Sequence, residues 1–206
     1  MQAEILASKL IIFIFSVVIH EVMHGVVALK YGDRTALNAG RLTLNPLPHI
    51  DPLGTIVMPL LLFLAHLPPL GSAKPVPVNP LNFTNIRQGE LAVSAAGILS
   101  NFTLALLGVL LFHLLNFNLL TAELFSFLFT INLILGVFNL IPIPPLDGSK
   151  IVMSQLSYQQ AQSYMQLERF GLIIIVILLY FGIIGQVAQP ILTFLSSISN
   201  VPLNLF

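Results

Sequence analysis

The sequence predicts an all-α polytopic membrane protein, with about four to six transmembrane helices, a re-entrant segment and a small β-hairpin beside a polar site, in a single domain over residues 1–206. Three observations lead there. Of 206 residues 56% are hydrophobic and 8% charged, with a mean hydropathy of +0.94, which leaves too little polar surface to cover a water-soluble globule. The apolar residues gather in stretches long enough for a hydrocarbon core of about 30 Å, which takes roughly 20 helical residues. Charges and prolines fall mostly between those stretches, and a small polar set lies inside them.

The first stretch, residues 5–30, has the place of a secretory signal, but Glu4 precedes Lys9 and the apolar run continues into His20 and Glu21. It reads as a retained span. Residues 53–70 are apolar but short, with Pro59 inside and Pro68 and Pro69 at the end, so a re-entrant hairpin suits them as well as a crossing. Residues 89–115, 120–142 and 168–188 qualify as spans, the last opened by the charged pair Glu168 and Arg169. The tail 187–206 carries Pro190 and Pro202 and is expected to lie in the interface or to cross incompletely.

Charge supplies the orientation. Eight basic and eight acidic residues sum to zero, and no patch suited to nucleic acid is present. If residues 30–50, 71–88 and 147–169 are cytosolic, they hold Lys30, Arg34, Arg41, Lys74, Arg87, Lys150 and Arg169, every basic residue except Lys9. That bias requires 53–70 to enter and leave on one side. With no cysteine, disulfides, thiol nucleophiles and Cys-type zinc sites are excluded, and no internal repeat divides the chain.

Inside the first span stands His20-Glu21-Val22-Met23-His24, an H-E-x-x-H pattern. Residues i and i+4 share a helix face, so the two imidazoles can point at one ion while Glu21 reaches a water bound to it. A carboxylate and two histidines at membrane depth are costly, about 2.5–3.5 kcal/mol for a charged residue on insertion scales. The plainer alternative is a polar face that packs on neighbouring helices or lines a wet cavity. A zinc site would still lack a ligand, and Asp147 is the best candidate. It follows Pro142, Pro144 and Pro145, which forbid regular helix, and precedes Gly148. Irregular backbone at membrane depth is tolerated where protein or water satisfies it. A surface turn at Asp147-Gly148 is the competing reading.

These residues resemble the site-2 proteases, intramembrane zinc metalloproteases of the M50 class, whose pattern is H-E-x-x-H in one span and N-x-x-P-x-P-P-L-D-G in a later one. Asn139 through Gly148 match the second. The similarity extends to Gly40-Arg41-Leu42-Thr43-Leu44-Asn45-Pro46, to His49-Ile50-Asp51-Pro52, to Ala73 through Pro80, and to Ala95-Ala96-Gly97 with Asn101. It is closest to small members without PDZ or CBS domains. Ser72 departs from the pattern, where an aromatic residue is expected before Ala73. The resemblance implies zinc, one ion per chain, held by His20, His24 and Asp147, with Glu21 as general base and a transmembrane protein as substrate, cut near the cytosolic face of a multi-pass protein of the cell membrane. Asn139 either donates to the oxyanion or holds the unwound backbone in shape.

A transmembrane substrate must unwind before it is cut, and something must then hold an extended strand. Residues 40–45 alternate as a strand does, and Pro75 and Pro77 suit an extended edge, so either segment is a candidate for β-augmentation, or the two form a hairpin that plugs the cytosolic mouth. His49 and Asp51 flank a proline-rich bend and stay outside the metal shell, Asp51 suiting the N-cap of the next segment. His66 and His113 read as interfacial, and Gly97 with Asn101 as close helix packing. Two other readings compete: a transporter with an intramembrane polar site, and an inactive relative that binds membrane proteins, which would be expected to have lost a ligand or the base.

Overall fold

The computed structural model describes residues 2–57, 61, 64, 73–115 and 118–204. Three long apolar helices form its centre: α1 (Gln2–Lys30), then, after the short α2 (Thr35–Asn38), α3 (Ile86–Leu114) and α4 (Leu119–Asn139). Further on lie α5 (Asp147–Met153), α6 (Tyr158–Met165), α7 (Glu168–Tyr180) and α8 (Ile183–Ser199). Caps explain where the later central helices begin. Asn85 accepts from the Gln88 N–H at 3.0 Å to open α3, and Asn118 with Thr121 forms a reciprocal capping box at the start of α4. Helix α4 ends at Asn139 because Pro142, Pro144 and Pro145 cannot continue it.

Helix α3 packs against both α1 and α4, and small and polar side chains are mixed with apolar ones in that packing while large apolar ones face outward. Many buried positions are small or polar: Ser16 on α1; Ser94, Ala96, Gly97, Ser100, Asn101, Ala105 and Gly108 on α3; Ser126, Thr130 and Asn132 on α4. Exposed positions are large and apolar, including Leu10, Ile11, Ile14 and Phe15 on α1 and Leu99, Leu106 and Leu110 on α3. Small residues let helix backbones approach where lipid leaves no hydrophobic drive for helix association. A buried apolar cluster, Ala105, Phe129, Leu133, Val137 and Val201, fills the contact among α3, α4 and the C-terminal tail.

Several sequence expectations are corrected here. Among the described residues three helices are long and apolar enough to cross a membrane, or four if α7 is counted as one span with Gln159–Met165, from which it is bent by 57°. Helix α7 stops at Tyr180 rather than running to 188, because Gly182 takes a left-handed φ of 68° and the chain restarts as α8. The expected β-hairpin is absent among the described residues. Within 74–80, Pro75, Pro77 and Pro80 have no N–H, and the N–H groups of Lys74, Val76 and Asn79 bond to the His49 carbonyl and to the Glu21 and Asp33 carboxylates. An extended segment cannot build a ladder when most of its donors are missing or spent. Most of the expected re-entrant segment 53–70, with His66, lies outside the described residues, as does Ser72; Pro52–Val57 is a wide helical turn that Asp51 caps through the Gly54 N–H at 2.8 Å.

Candidate metal centre

Helix α1 places His20 and His24 one turn apart on the face turned to α3, both buried. Asp147 arrives from the far side of the proline-rich turn. Ile143 and Leu146 close short hydrogen bonds back to Ile141 and Ile143, so the chain reverses and α5 begins on the aspartate. Gly148 permits this, since a Cβ there would collide with the Leu140 and Ile141 carbonyls. Asp147 ends 5% exposed.

The three side chains converge on one point. Asp147 Oδ2 lies 3.2 Å from His20 Nε2 and 3.1 Å from His24 Nε2, and the two Nε2 atoms are 3.0 Å apart. Three ligands of a tetrahedral zinc at about 2.0–2.1 Å would stand about 3.3 Å from one another. The triangle therefore fits the ion with small adjustments. Asp147 Oδ2 is buried with no hydrogen-bond partner, a costly arrangement that a cation resolves. Gly97 faces the triangle, and a Cβ there would lie 2.5 Å from His24 Cε1 and Nε2 and 2.6 Å from His20 Cε1. Asp147 Oδ1 is left to Lys150 Nζ at 3.7 Å.

Each histidine is oriented through its other nitrogen. His24 Nδ1 lies 2.7 Å from the Val93 carbonyl, which can only accept, so Nδ1 carries the proton and Nε2 the lone pair. His20 Nδ1 lies 2.6 Å from Asn101 Oδ1. Glu21 Oε2 accepts from the Val76 N–H at 2.8 Å, which draws residues 73–79 across the site and leaves Oε1 for other work. Arg41 Nη2 donates to the Lys74 carbonyl at 2.7 Å and holds that segment from behind. The Asn139 amide nitrogen donates to the Leu135 carbonyl at 2.9 Å and closes the last turn of α4, with its second N–H unspent.

The structure thus brings together His20, His24 and Asp147 from positions far apart in the chain, and gives Glu21 a backbone partner. His49 is buried elsewhere, its Nε2 3.0 Å from the Thr43 carbonyl, and His113 Nε2 lies 2.8 Å from the Ser199 carbonyl at the opposite end. Sequence reasoning missed the parts played by Val93, Val76 and Asn132. The first two act through backbone groups, which carry no residue signature, while Asn132, an amide in the middle of an apolar run, was a signal available to be read.

Comparison with known proteins gives a consistent picture. The model for Peptidase family M50 matches residues 113–182, the stretch that holds Asn139 and Asp147. The chain is 37% identical over 191 residues to "Putative zinc metalloprotease YwhC" of Bacillus subtilis, covering 88% of this chain and 84% of that protein. It is 28% identical over 169 residues to "Putative zinc metalloprotease Rip2" of Mycolicibacterium smegmatis, covering 81% and 64%. To a zinc metalloprotease of Methanocaldococcus jannaschii it is 28% identical over 189 residues, covering 90% of this chain and 46% of the relative. No solved structure matches the chain.

Proposed function

Because the chain belongs to peptidase family M50, the site-2 proteases, we propose that it hydrolyses peptide bonds of membrane proteins at a zinc centre made of His20, His24 and Asp147, with Glu21 as the base. One observation carries the reading: three ligand atoms from α1 and α5, buried and within 3.0–3.2 Å of one another. Zinc bound there supplies a water of lowered pKa and an electrophile for the scissile carbonyl. Glu21, one residue from a ligand and with Oε2 steadied by Val76, takes the water's proton on Oε1 and passes it to the leaving amine nitrogen. Asn139 keeps one N–H on the Leu135 carbonyl inside α4, and we assign its other N–H to the oxyanion.

The protein is a membrane protein, and we read it as multi-pass with the centre toward the cytosol. The basic residues outside α1's first half support that orientation. Cysteines introduced at 34 or 87 would be labelled by an impermeant maleimide only from the cytosolic side, in a chain with no cysteine of its own; labelling from the other side would overturn the orientation. Segment 73–79 is best read as a plug over the base, because three of its N–H groups are already bonded. Substrate adducts at 41–45 or 74–78 would instead favour β-augmentation.

The decisive test is zinc content and cleavage of a model transmembrane substrate in liposomes, for the native chain, Glu21→Gln, His20→Ala and Asp147→Ala. Near-stoichiometric zinc is expected in the native chain and Glu21→Gln, zinc loss in the other two, and cleavage by the native chain alone. Zinc retained by Asp147→Ala would remove it from the ligand set.

A further inference from the structure

Helix α4 crosses the molecule beside α1 and α3 and contributes no ligand to the metal centre, yet it carries a fully buried asparagine, Asn132, at 0% exposure. An amide at that depth is expensive unless bonded on both ends. It is bonded on both. Asn101 Nδ2 donates to Asn132 Oδ1 at 2.9 Å, and Asn132 Nδ2 donates to Ser16 Oγ at 2.8 Å and to the Leu128 carbonyl at 3.0 Å. Ser16 Oγ in turn donates to the Ile12 carbonyl at 2.8 Å. With the contact between Asn101 Oδ1 and His20 Nδ1, this makes a continuous chain from the middle of α1, through α4 and α3, back to α1 at the metal centre.

The direction of that chain is fixed at its far end. The Ile12 and Leu128 carbonyls only accept, so Ser16 must give its proton away and Asn132 must turn its NH2 toward Ser16 and Leu128. Flipping Asn132 would set its oxygen against the Leu128 carbonyl. Its Oδ1 therefore faces α3, Asn101 must present NH2 to it, and Asn101 Oδ1 is left facing His20. Only an imidazole protonated on Nδ1 satisfies that oxygen, which leaves the His20 lone pair on Nε2, toward Asp147 and His24. The other histidine gets the same instruction directly from the Val93 carbonyl. His20 receives it only through side chains.

We propose that Asn132 and Ser16 are positioning residues for His20: through Asn101 they fix its tautomer and ring orientation and so set the affinity of the metal centre. This rests on the zinc reading above. Loss of an outer partner of a metal-bound histidine typically lowers metal affinity 10–100-fold. The test separates tautomer control from packing by one rescue. Asn132→Leu keeps the volume and removes all three side-chain bonds, freeing Asn101 to flip; Asn101→Asp supplies a carboxylate that accepts from His20 Nδ1 in either orientation and needs no direction from α4.

Zinc affinity would be measured in detergent by competition with a chromophoric chelator, together with the visible spectrum of the Co2+-loaded protein. The measured forms are the native chain, Asn132→Leu, Asn101→Asp and the double variant, with His20→Ala as control. Asn132→Leu is expected to bind zinc about 10–100-fold more weakly, and the double variant to regain most of that loss. Unchanged affinity in Asn132→Leu would overturn the proposal, as would a double variant as weak as the single, since the loss would then be one of packing. If Asn132→Leu does not fold, Asn132→Ala and Ser16→Ala carry the same comparison against Asn101→Asp. A native chain that binds no zinc would instead overturn the zinc reading itself, and a native chain that binds while His20→Ala does not keeps the two failures apart.

Discussion

At the scale of single residues, the convergence of the proposed ligands was the most legible part of the molecule. The H-E-x-x-H spacing puts both imidazoles on one helix face, and three prolines before Asp147-Gly148 mark a break that only a special site would hold at membrane depth. The groups that orient the histidines were not legible, because Val93 acts through a carbonyl and Asn101 is 81 positions from the ring it touches. Gly97 shows the difference. As a sequence feature it signals close packing; in the structure it also faces the two histidines of the candidate metal centre. A Gly97→Ala methyl would sit 2.5 Å from His24 Nε2, on a ring held at its other nitrogen by the Val93 carbonyl. Zinc affinity is expected to fall by about tenfold or more with the helical content intact, read by chelator competition and circular dichroism; unaltered affinity would mean that α3 shifts to make room.

At the scale of elements, residues 74–78 were misread as part of a hairpin because their prolines suit an extended edge beside the alternating residues 40–45, and the fate of the N–H groups was not visible. The segment is held by single bonds from Glu21, Asp33, Arg41 and His49, each of which can be broken separately. A hydrogen bond to a charged group contributes about 1.5–3 kcal/mol, so freeing Val76 should open the segment severalfold or more. In a Val78→Cys background, maleimide labelling is expected to quicken in Glu21→Ala, which removes the acceptor, and to stay slow in Glu21→Gln, whose amide oxygen still accepts. Equal rates would show that the other bonds suffice. Asp33 gives the segment a pH dependence of known sign. Burial alone would raise its carboxyl, but hydrogen bonds from Thr35, Asn82 and the Asn79 N–H outweigh burial and hold it below the ordinary carboxylate value. A group depressed in the folded state stabilises fully above its unfolded value of about 3.9 and loses that contribution as pH falls through the folded one. Labelling at Val78→Cys should therefore be steady above about pH 5 and rise as acid protonates Asp33, a rise that Asp33→Asn should remove by starting from the loosened state. Because maleimide slows in acid, the rates need normalising to a free thiol.

At the scale of the whole molecule, composition announced a membrane protein and the helices agree, but the number of crossings was beyond sequence reasoning. A run such as 168–188 is apolar throughout, and what ends α7 at Tyr180 is a glycine turn that hydropathy does not register. Nor does hydropathy foresee the pinning of the tail, where Ser126 Oγ donates to the Pro202 carbonyl and the Asn204 N–H to Thr130 Oγ, close to the Lys9–Glu123 ion pair. The two ends of the bundle are thus tied by different means: the tail and an ion pair at one, and at the other the convergence of α1 and α5 on a metal centre whose own carboxylate oxygen lacks a hydrogen-bond partner. Without a cation, the buried Asp147 must rely on the two imidazoles, so α5 and the proline-rich turn before it should be the first part to loosen. Binding that favours the folded state adds RT ln(1 + [L]/Kd), about 2.7 kcal/mol at a hundredfold excess over Kd, which for a chain of this size corresponds to roughly 5–10 °C in Tm. Zinc is therefore expected to raise the melting temperature of the chelator-stripped protein in detergent by that amount, and Glu21→Gln to respond in the same way because its ligands are intact. Asp147→Ala should melt at one temperature with or without zinc; a rise of equal size in that variant would mean that the ion bridges α1 to something other than α5.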